Sequence, residues 1–242
     1  YSYSNRDNDV LSNQLQQNNF QGSMIITDQT SLKNVVNDNH RFSWNAEYRP
    51  DSLNFIKLSP SFSYGSTRDN GSSSYVQNDN GVLSSDGTTL NNTHSTNPTF
   101  GANLLLNHRF HKRGRNISLF VNANNSRTKQ EDDQVTQYIN YAASGNTDVY
   151  RNQELNDRNR SANIHTNLSY IEPLSATSGI ELNYNHSTTS YKNDRQTFDI
   201  SQVGTPTINN LLSNDYRYSF STNRFGINYR ANQRKYNYSI GL

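Results

Sequence analysis

From His40 onward the chain is written in alternating residues. His40, Phe42, Trp44, Ala46 and Tyr48 fall on one face of an extended strand, and Arg41, Ser43, Asn45, Glu47 and Arg49 on the other. After Arg49-Pro50-Asp51-Ser52 the alternation resumes, with Ile56, Leu58, Pro60, Phe62 and Tyr64 set against Lys57, Ser59, Ser61, Ser63 and Gly65. A period of two places successive side chains on opposite faces of a sheet, here one apolar and one polar. The unit recurs along the chain. Phe100, Ala102, Leu104, Leu106 and Phe110 share a face, as do Ile117, Leu119, Val121 and Ala123, then Ile164, Leu168 and Tyr170, then Ile180, Leu182 and Tyr184.

Turn-forming clusters separate these runs near 50–53, 111–115, 172–176 and 230–235. Between the hairpins lie polar connections rich in Asn, Asp, Ser, Gly and Thr, near 12–38, 69–97, 128–160 and 190–214. Short turns at one end and long loops at the other are the pattern of an outer-membrane barrel, with the turns periplasmic and the loops extracellular. The fold class expected is all-β: an antiparallel transmembrane β-barrel with up-and-down order, of which residues 1–242 form a single segment of about nine strands. Tyr48, Phe55, Phe110, Tyr170, Tyr229 and Tyr236 lie near the proposed periplasmic turns and suit an interfacial girdle. Tyr216, Tyr218 and Phe220 are out of phase with Phe225, Ile227 and Tyr229. A β-bulge near 221–224 or departure of the upper strand from the bilayer accounts for the break, and the second is favoured.

Composition sharpens this reading. Mean hydropathy is −0.97, too polar for spanning helices, which need about 20 consecutive apolar residues. The 16 Tyr and 10 Phe, regularly spaced, argue against disorder. A barrel needs only alternate residues to be apolar, over a short band. The net charge of +2 gives no basic field for nucleic acid, and the absence of cysteine excludes a disulfide scaffold or thiolate metal site. Both ends read as interruptions within strands, so a segment of a larger protein is expected, one that aggregates or stays unfolded when expressed alone. Two other readings stand beside this one: a complete small barrel acting as an adhesin or structural protein, and a soluble all-β extracellular binding module.

The run Trp44-Asn45-Ala46-Glu47-Tyr48-Arg49-Pro50-Asp51-Ser52-Leu53 resembles a periplasmic turn of the Bacteroidetes-type outer-membrane β-barrel family related to TonB-dependent receptors. Lys112-Arg113-Gly114-Arg115-Asn116-Ile117-Ser118-Leu119 and Tyr170-Ile171-Glu172-Pro173-Leu174-Ser175 are similar to turns of the same family. The resemblance implies a parent barrel of about 22 strands closed by a plug domain, with TonB as partner through parts outside this sequence. It further implies nutrient uptake at the outer membrane of a Gram-negative bacterium, with a surface lipoprotein as a further candidate partner.

No catalytic constellation is present, and neither a cofactor nor a metal is expected. His108 and His111 straddle a strand end and its turn, and a three-residue step along a strand points to opposite faces. Glu131-Asp132-Asp133 lacks the spacing of a calcium loop. The candidate functional surface is the polar strand face, with Arg41, Asn45, Glu47, Asn103, Asn107, Arg109, Asn163, His165 and Glu181 expected to face the lumen. Tyr138, Tyr141 and Tyr150 are candidates for ligand contact from the 128–160 loop.

Overall fold

A computed structural model describes residues 1–20, 22–234 and 236–242. Gln21, within the first expected loop, and Lys235, within the last expected turn, lie outside the described residues. Eleven strands form one antiparallel sheet: β1 (Ser2–Phe20), β2 (Ser23–Ser43), β3 (Ala46–Tyr48), β4 (Asn54–Asp79), β5 (Val82–Arg109), β6 (Asn116–Asn140), β7 (Thr147–Pro173), β8 (Ser178–Ile200), β9 (Pro206–Ile208), β10 (Asn214–Asn232) and β11 (Asn237–Gly241). Nine of them run side by side in sequence order as a meander, while the three-residue strands β3 and β9 pair with β4 and β8. The sheet is open, with β1 and β11 at its edges.

β2 and β3 are one strand interrupted by a single missing donor. The pairing of β2 with β4 and of β3 with β4 keeps one register, Ser43↔Ser61 and then Ala46↔Leu58. Between them Trp44 N–H donates to the Pro60 carbonyl at 3.3 Å. Proline has no N–H to return that bond, so the ladder lapses for two residues without a change of phase.

The segments expected as long loops are largely strand, which corrects that expectation. The 12–38 stretch is the β1–β2 ladder, with Leu11 opposite Leu32. The 69–97 stretch is the distal half of the β4–β5 hairpin, and 128–160 is mostly the β6–β7 ladder. Irregular connections persist at 141–146 and, at greater length, from Ser201 to Ser213 around β9. The β4–β5 hairpin closes at Asn80-Gly81, with φ of 48° and 82°, the pair of left-handed residues that a tight type I′ turn requires. Asn, Ser and Thr there are not turn formers. They are side chains on a ribbon that is polar on both faces and held by its backbone ladder.

β5 has 28 residues, about 90 Å at roughly 3.3 Å per residue. A bilayer takes only about 9–11 residues of such a strand. Most of each long strand therefore extends past any apolar band. No conventional core exists: among the described residues only Ala231 is a buried hydrophobic residue. Phe42, Phe62, Phe100, Ile164, Leu182, Phe225 and Ile227 all lie exposed on the apolar face. That belt lies in the part of the sheet nearest the four short turns.

β10 pairs with β8 in unbroken register from Asn214↔Arg195 to Ala231↔Ser178. The bulge considered near 221–224 is absent, so Tyr216, Tyr218 and Phe220 truly face opposite to Phe225 and Ile227. Phe55 likewise sits on the polar face, opposite Asn107, with the Arg49 guanidinium 5.0 Å from its ring centroid. It is not part of the apolar-face girdle to which it was assigned.

Candidate functional site: the polar face of the sheet

The register carries one polar face across every strand. Arg41 is opposite Ser63, Glu47 opposite Lys57, Asn103 opposite Ser59 and Asn122, and Asn107 opposite Phe55 and Ser118. Arg109 is opposite Asn116, Asn163 opposite Asn124 and Thr189, His165 opposite Asn122 and Ser187, and Glu181 opposite Ile171 and Asn228. Asn45 falls in the two-residue gap, opposite Ser59, and the unchanged phase keeps it with Arg41 and Glu47. All nine residues singled out in the sequence therefore share one face, distributed along it and not gathered into a single pocket.

Near the turns this face is a lattice of amides. Asn122 Nδ2 donates to Asn103 Oδ1 at 2.6 Å, Asn124 Nδ2 to Asn122 Oδ1 at 2.7 Å, and Asn167 Nδ2 to Asn185 Oδ1 at 2.6 Å. Gly101 lies among them. A Cβ there would fall 2.8 Å from Asn124 Oδ1 and 2.9 Å from Ser61 Oγ, so glycine lets these two polar side chains close over the backbone. Lys57 Nζ donates to Glu47 Oε1 at 2.9 Å.

Further from the turns the face changes character. Asp157 on β7 is 6% exposed and is the acceptor at the centre of a network. Its Oδ1 takes hydrogen bonds from Asn159 Nδ2 at 2.9 Å and Asn193 Nδ2 at 3.0 Å. Its Oδ2 takes two from Arg195, through Nη2 at 2.8 Å and Nε at 3.2 Å. Asn193 Nδ2 also donates to Asn159 Oδ1 at 2.6 Å, and the Tyr191 hydroxyl donates to the same oxygen at 2.7 Å. Tyr216 and Tyr218 flank Tyr191, with ring centroids 5.8 Å and 5.7 Å away and planes tilted by 37° and 32°. Burial and the adjacent Tyr216 push the Tyr191 phenol above its ordinary pKa. Rings, amides and a guanidinium side by side form a shelf that can stack on a planar or ring-shaped solute and hydrogen-bond to its rim.

The residues of this shelf were not singled out from the sequence. Asp157, Asn159, Tyr191 and Asn193 lay within segments taken for loops, where face assignment stops. The signal was present in the out-of-phase Tyr216 and Tyr218. The three tyrosines that were named do not gather. Tyr138 lies on the polar face opposite Gly87, while Tyr150 lies on the other face opposite Gln137. Tyr141 follows the end of β6, where the neighbouring Asp86 carboxylate raises its pKa. The acidic run is divided by the strand: Asp132 accepts a bond from Thr93 Oγ1 at 2.7 Å on the polar face, and Glu131 and Asp133 point the opposite way. Among the described residues no group of three or more His, Asp or Glu side chains is placed to hold a metal ion.

Comparison with known proteins adds the following. A family model described as "Outer membrane protein beta-barrel family" matches residues 108–242. No curated protein matches. Among solved structures, the closed form of the ferric-catecholate import receptor Fiu from E. coli K12 is similar over 99% of this chain and 49% of its own, at 7% identity and a TM-score of 0.26. The chain thus spans about half the length of that receptor.

Proposed function

Because the chain belongs to the outer membrane protein beta-barrel family, we propose that it forms part of the wall of an outer-membrane transporter or receptor for a nutrient. The apolar face meets lipid and the polar face lines the lumen. One observation carries the reading: near the short turns, from β2 to β10, alternation sets an exposed apolar and aromatic belt on one face of the sheet and a mainly polar face on the other. Backbone groups in lipid need partners within the protein, so the two open edges call for further strands that complete a larger cylinder.

The four short turns face the periplasm and the Asn80-Gly81 and Gly145 tips face outward. The Tyr191–Tyr216–Tyr218 shelf, with Asp157 and Arg195, makes contact with a polar solute on its way through. The function is binding and passage without catalysis. The turn sequences that resemble the TonB-related family support energy coupling through a plug and TonB, supplied by other parts of the parent protein. Uptake by cells carrying the whole protein tests this. Deleting its gene abolishes growth on one limiting nutrient, and disabling TonB produces the same defect. Normal uptake of every nutrient tested in the deletion strain would sink the transport reading.

A further inference from the structure

On the same face as the belt and beyond it, four cations stand directly opposite one another on four adjacent strands. Arg127 of β6 pairs with Arg160 of β7, Arg160 with Lys192 of β8, and Lys192 with Arg217 of β10. Adjacent strands are about 4.8 Å apart, so the row spans roughly 15 Å. Like charges directly opposite in a sheet destabilise it. Among the described residues no carboxylate forms an ion pair with Arg127, Arg160 or Arg217, and Lys192 reaches Asp215 only at 3.8 Å. Lys129 and Arg158 add to the charge in the next row, where Lys129 is paired with Glu131 at 2.6 Å. Among the described residues Asp194, opposite Arg158, is the one carboxylate lining the hollow of about 420 Å³ that these side chains border. Asp194, Asp215 and Glu131 on the same face offset only part of this charge, leaving three carboxylates against six cations.

The position of the row on the strands indicates the counterion. Arg160 lies thirteen residues from Pro173, the end of β7 at the short turns. At about 3.3 Å per residue and a tilt near 40°, that is roughly 33 Å above the turns. An apolar band is about 25 Å tall, so the row lies just past its distal edge. The same cross-strand row continues through Tyr64 of β4, His40 of β2 and Tyr3 of β1, the aromatic residues expected at a membrane–water boundary. Below the cations come Ala162 and Ile164 on β7 and, past Asn125, Ala123 and Val121 on β6, whereas on β8 and β10 Ser190, Thr188 and His186 and Ser219, Ser221 and Asn223 separate the cation from the belt at Tyr184 and Phe225. Arg127 and Arg160 therefore lie where lipid ends and headgroups begin, and Lys192 and Arg217 extend the row outward into the headgroup layer.

We propose that Arg127, Arg160, Lys192 and Arg217 form a docking surface for the phosphate groups of a phosphorylated glycolipid in the distal leaflet. This rests on the reading above that the apolar face meets lipid and the short turns are periplasmic. Guanidinium forks match phosphate oxygens in bidentate geometry and resist deprotonation. A headgroup carrying more than one phosphate on a sugar scaffold spans several of the cations at once. The bound lipid supplies the charge the sheet lacks and anchors β6–β10 in the leaflet.

The experiment uses the whole parent protein in detergent, carrying Arg127→Gln, Arg160→Gln and Arg217→Gln together. A second variant removes the same charge from the polar face, through Arg6→Gln, Lys33→Gln and Arg151→Gln. Binding is titrated with micelles of phosphorylated lipid A-type glycolipid, with the same lipid after phosphatase treatment, and with inorganic phosphate. The first variant is expected to bind the phosphorylated lipid about a hundredfold more weakly, and the second about as well as the unmodified protein. The unmodified protein is expected to bind the dephosphorylated lipid no better than the first variant does. Equal binding by both variants, or indifference to phosphatase, overturns the proposal. Inorganic phosphate bound as tightly as the lipid overturns the assignment to a headgroup. Insertion into bilayers is scored separately, by heat-modifiable migration and protease protection in liposomes. A protein that inserts but binds no phosphorylated lipid loses this proposal alone, whereas one that fails to insert loses the barrel reading with it.

Discussion

Asp157 shows how a carboxylate is kept on a sheet with no core. Its two oxygens accept four hydrogen bonds, two from amides and two from Arg195. Replacing it with Ala strands those donors and leaves the Arg195 charge without its partner. Asp157→Ala is expected to cost about 2 kcal/mol of barrel stability, read from thermal or denaturant unfolding, and Asp157→Asn less. Equal stability of Asp157→Ala and the unmodified protein would show that the network contributes nothing. Glu172 plays a related part at the turns. It accepts from Arg115 Nε at 2.7 Å, Arg115 Nη2 at 2.8 Å, Lys112 Nζ at 2.6 Å and the Tyr170 hydroxyl at 2.6 Å, tying the β5–β6 turn to the end of β7. The Arg115 bonds, then those from Lys112 and Tyr170, hold its carboxyl far below the usual carboxylate range. A carboxylate with a depressed folded-state pKa adds stability that is complete above its ordinary value, near 4.3, and is lost as pH falls from there toward the folded value. The difference in melting temperature between the parent protein and Glu172→Gln is expected to hold steady from pH 7 to about 5 and to shrink by pH 3. A difference as large at pH 3 as at pH 7 would mean that the clamp does not act through the charge.

At the scale of the element, Pro60 is the most economical test of the sheet. Trp44 N–H reaches the Pro60 carbonyl, and the reciprocal bond is missing only because proline has no hydrogen to give. Pro60→Val is expected to join β2 and β3 into one strand and to slow amide exchange around Trp44 and Asn45, with a gain of about 1 kcal/mol. Unchanged exchange at those amides would show that the gap has another cause. The same strands show what can be read from sequence. Wherever alternation is between apolar and polar residues, as from Phe100 to Phe110, face and register are visible because the two faces differ in chemistry. Beyond the belt, as at Asp69–Gln77, both faces are polar, alternation becomes invisible, and Asn and Ser mimic a loop. Asn80-Gly81 was the clue inside that stretch, since this dipeptide is the strongest short signal of a two-residue hairpin. The polar-face residues near the turns were therefore within reach, whereas the shelf around Tyr191 depended on extending the register through residues whose own pattern is silent.

Taken as a whole, the molecule is a two-sided wall with distinct ends. One end carries the short turns, the basic run Lys112-Arg113 and the Glu172 clamp, and the other the long paired ribbons that extend past the belt. The belt fixes the depth of the bilayer, and the ribbon length then requires the Asn80-Gly81 tip to stand well clear of it. Asp79 lies fifteen residues beyond Tyr64, about 50 Å along the strand at roughly 3.3 Å per residue. The short turns lie beside one another at the opposite end, where a Cβ on Gly114 would fall 3.5 Å from the Pro173 Cβ. This geometry makes orientation measurable with single thiols, because the chain has no cysteine of its own. In a cysteine-free parent protein, Asn80→Cys and Ser144→Cys are expected to react with a membrane-impermeant maleimide on intact cells. Arg113→Cys and Ser175→Cys are expected to react only after the outer membrane is permeabilised. The opposite pattern would invert the wall, place the cation row in the periplasmic leaflet and remove the glycolipid from its reach. Labelling of all four on intact cells would mean that the belt between them does not cross a bilayer.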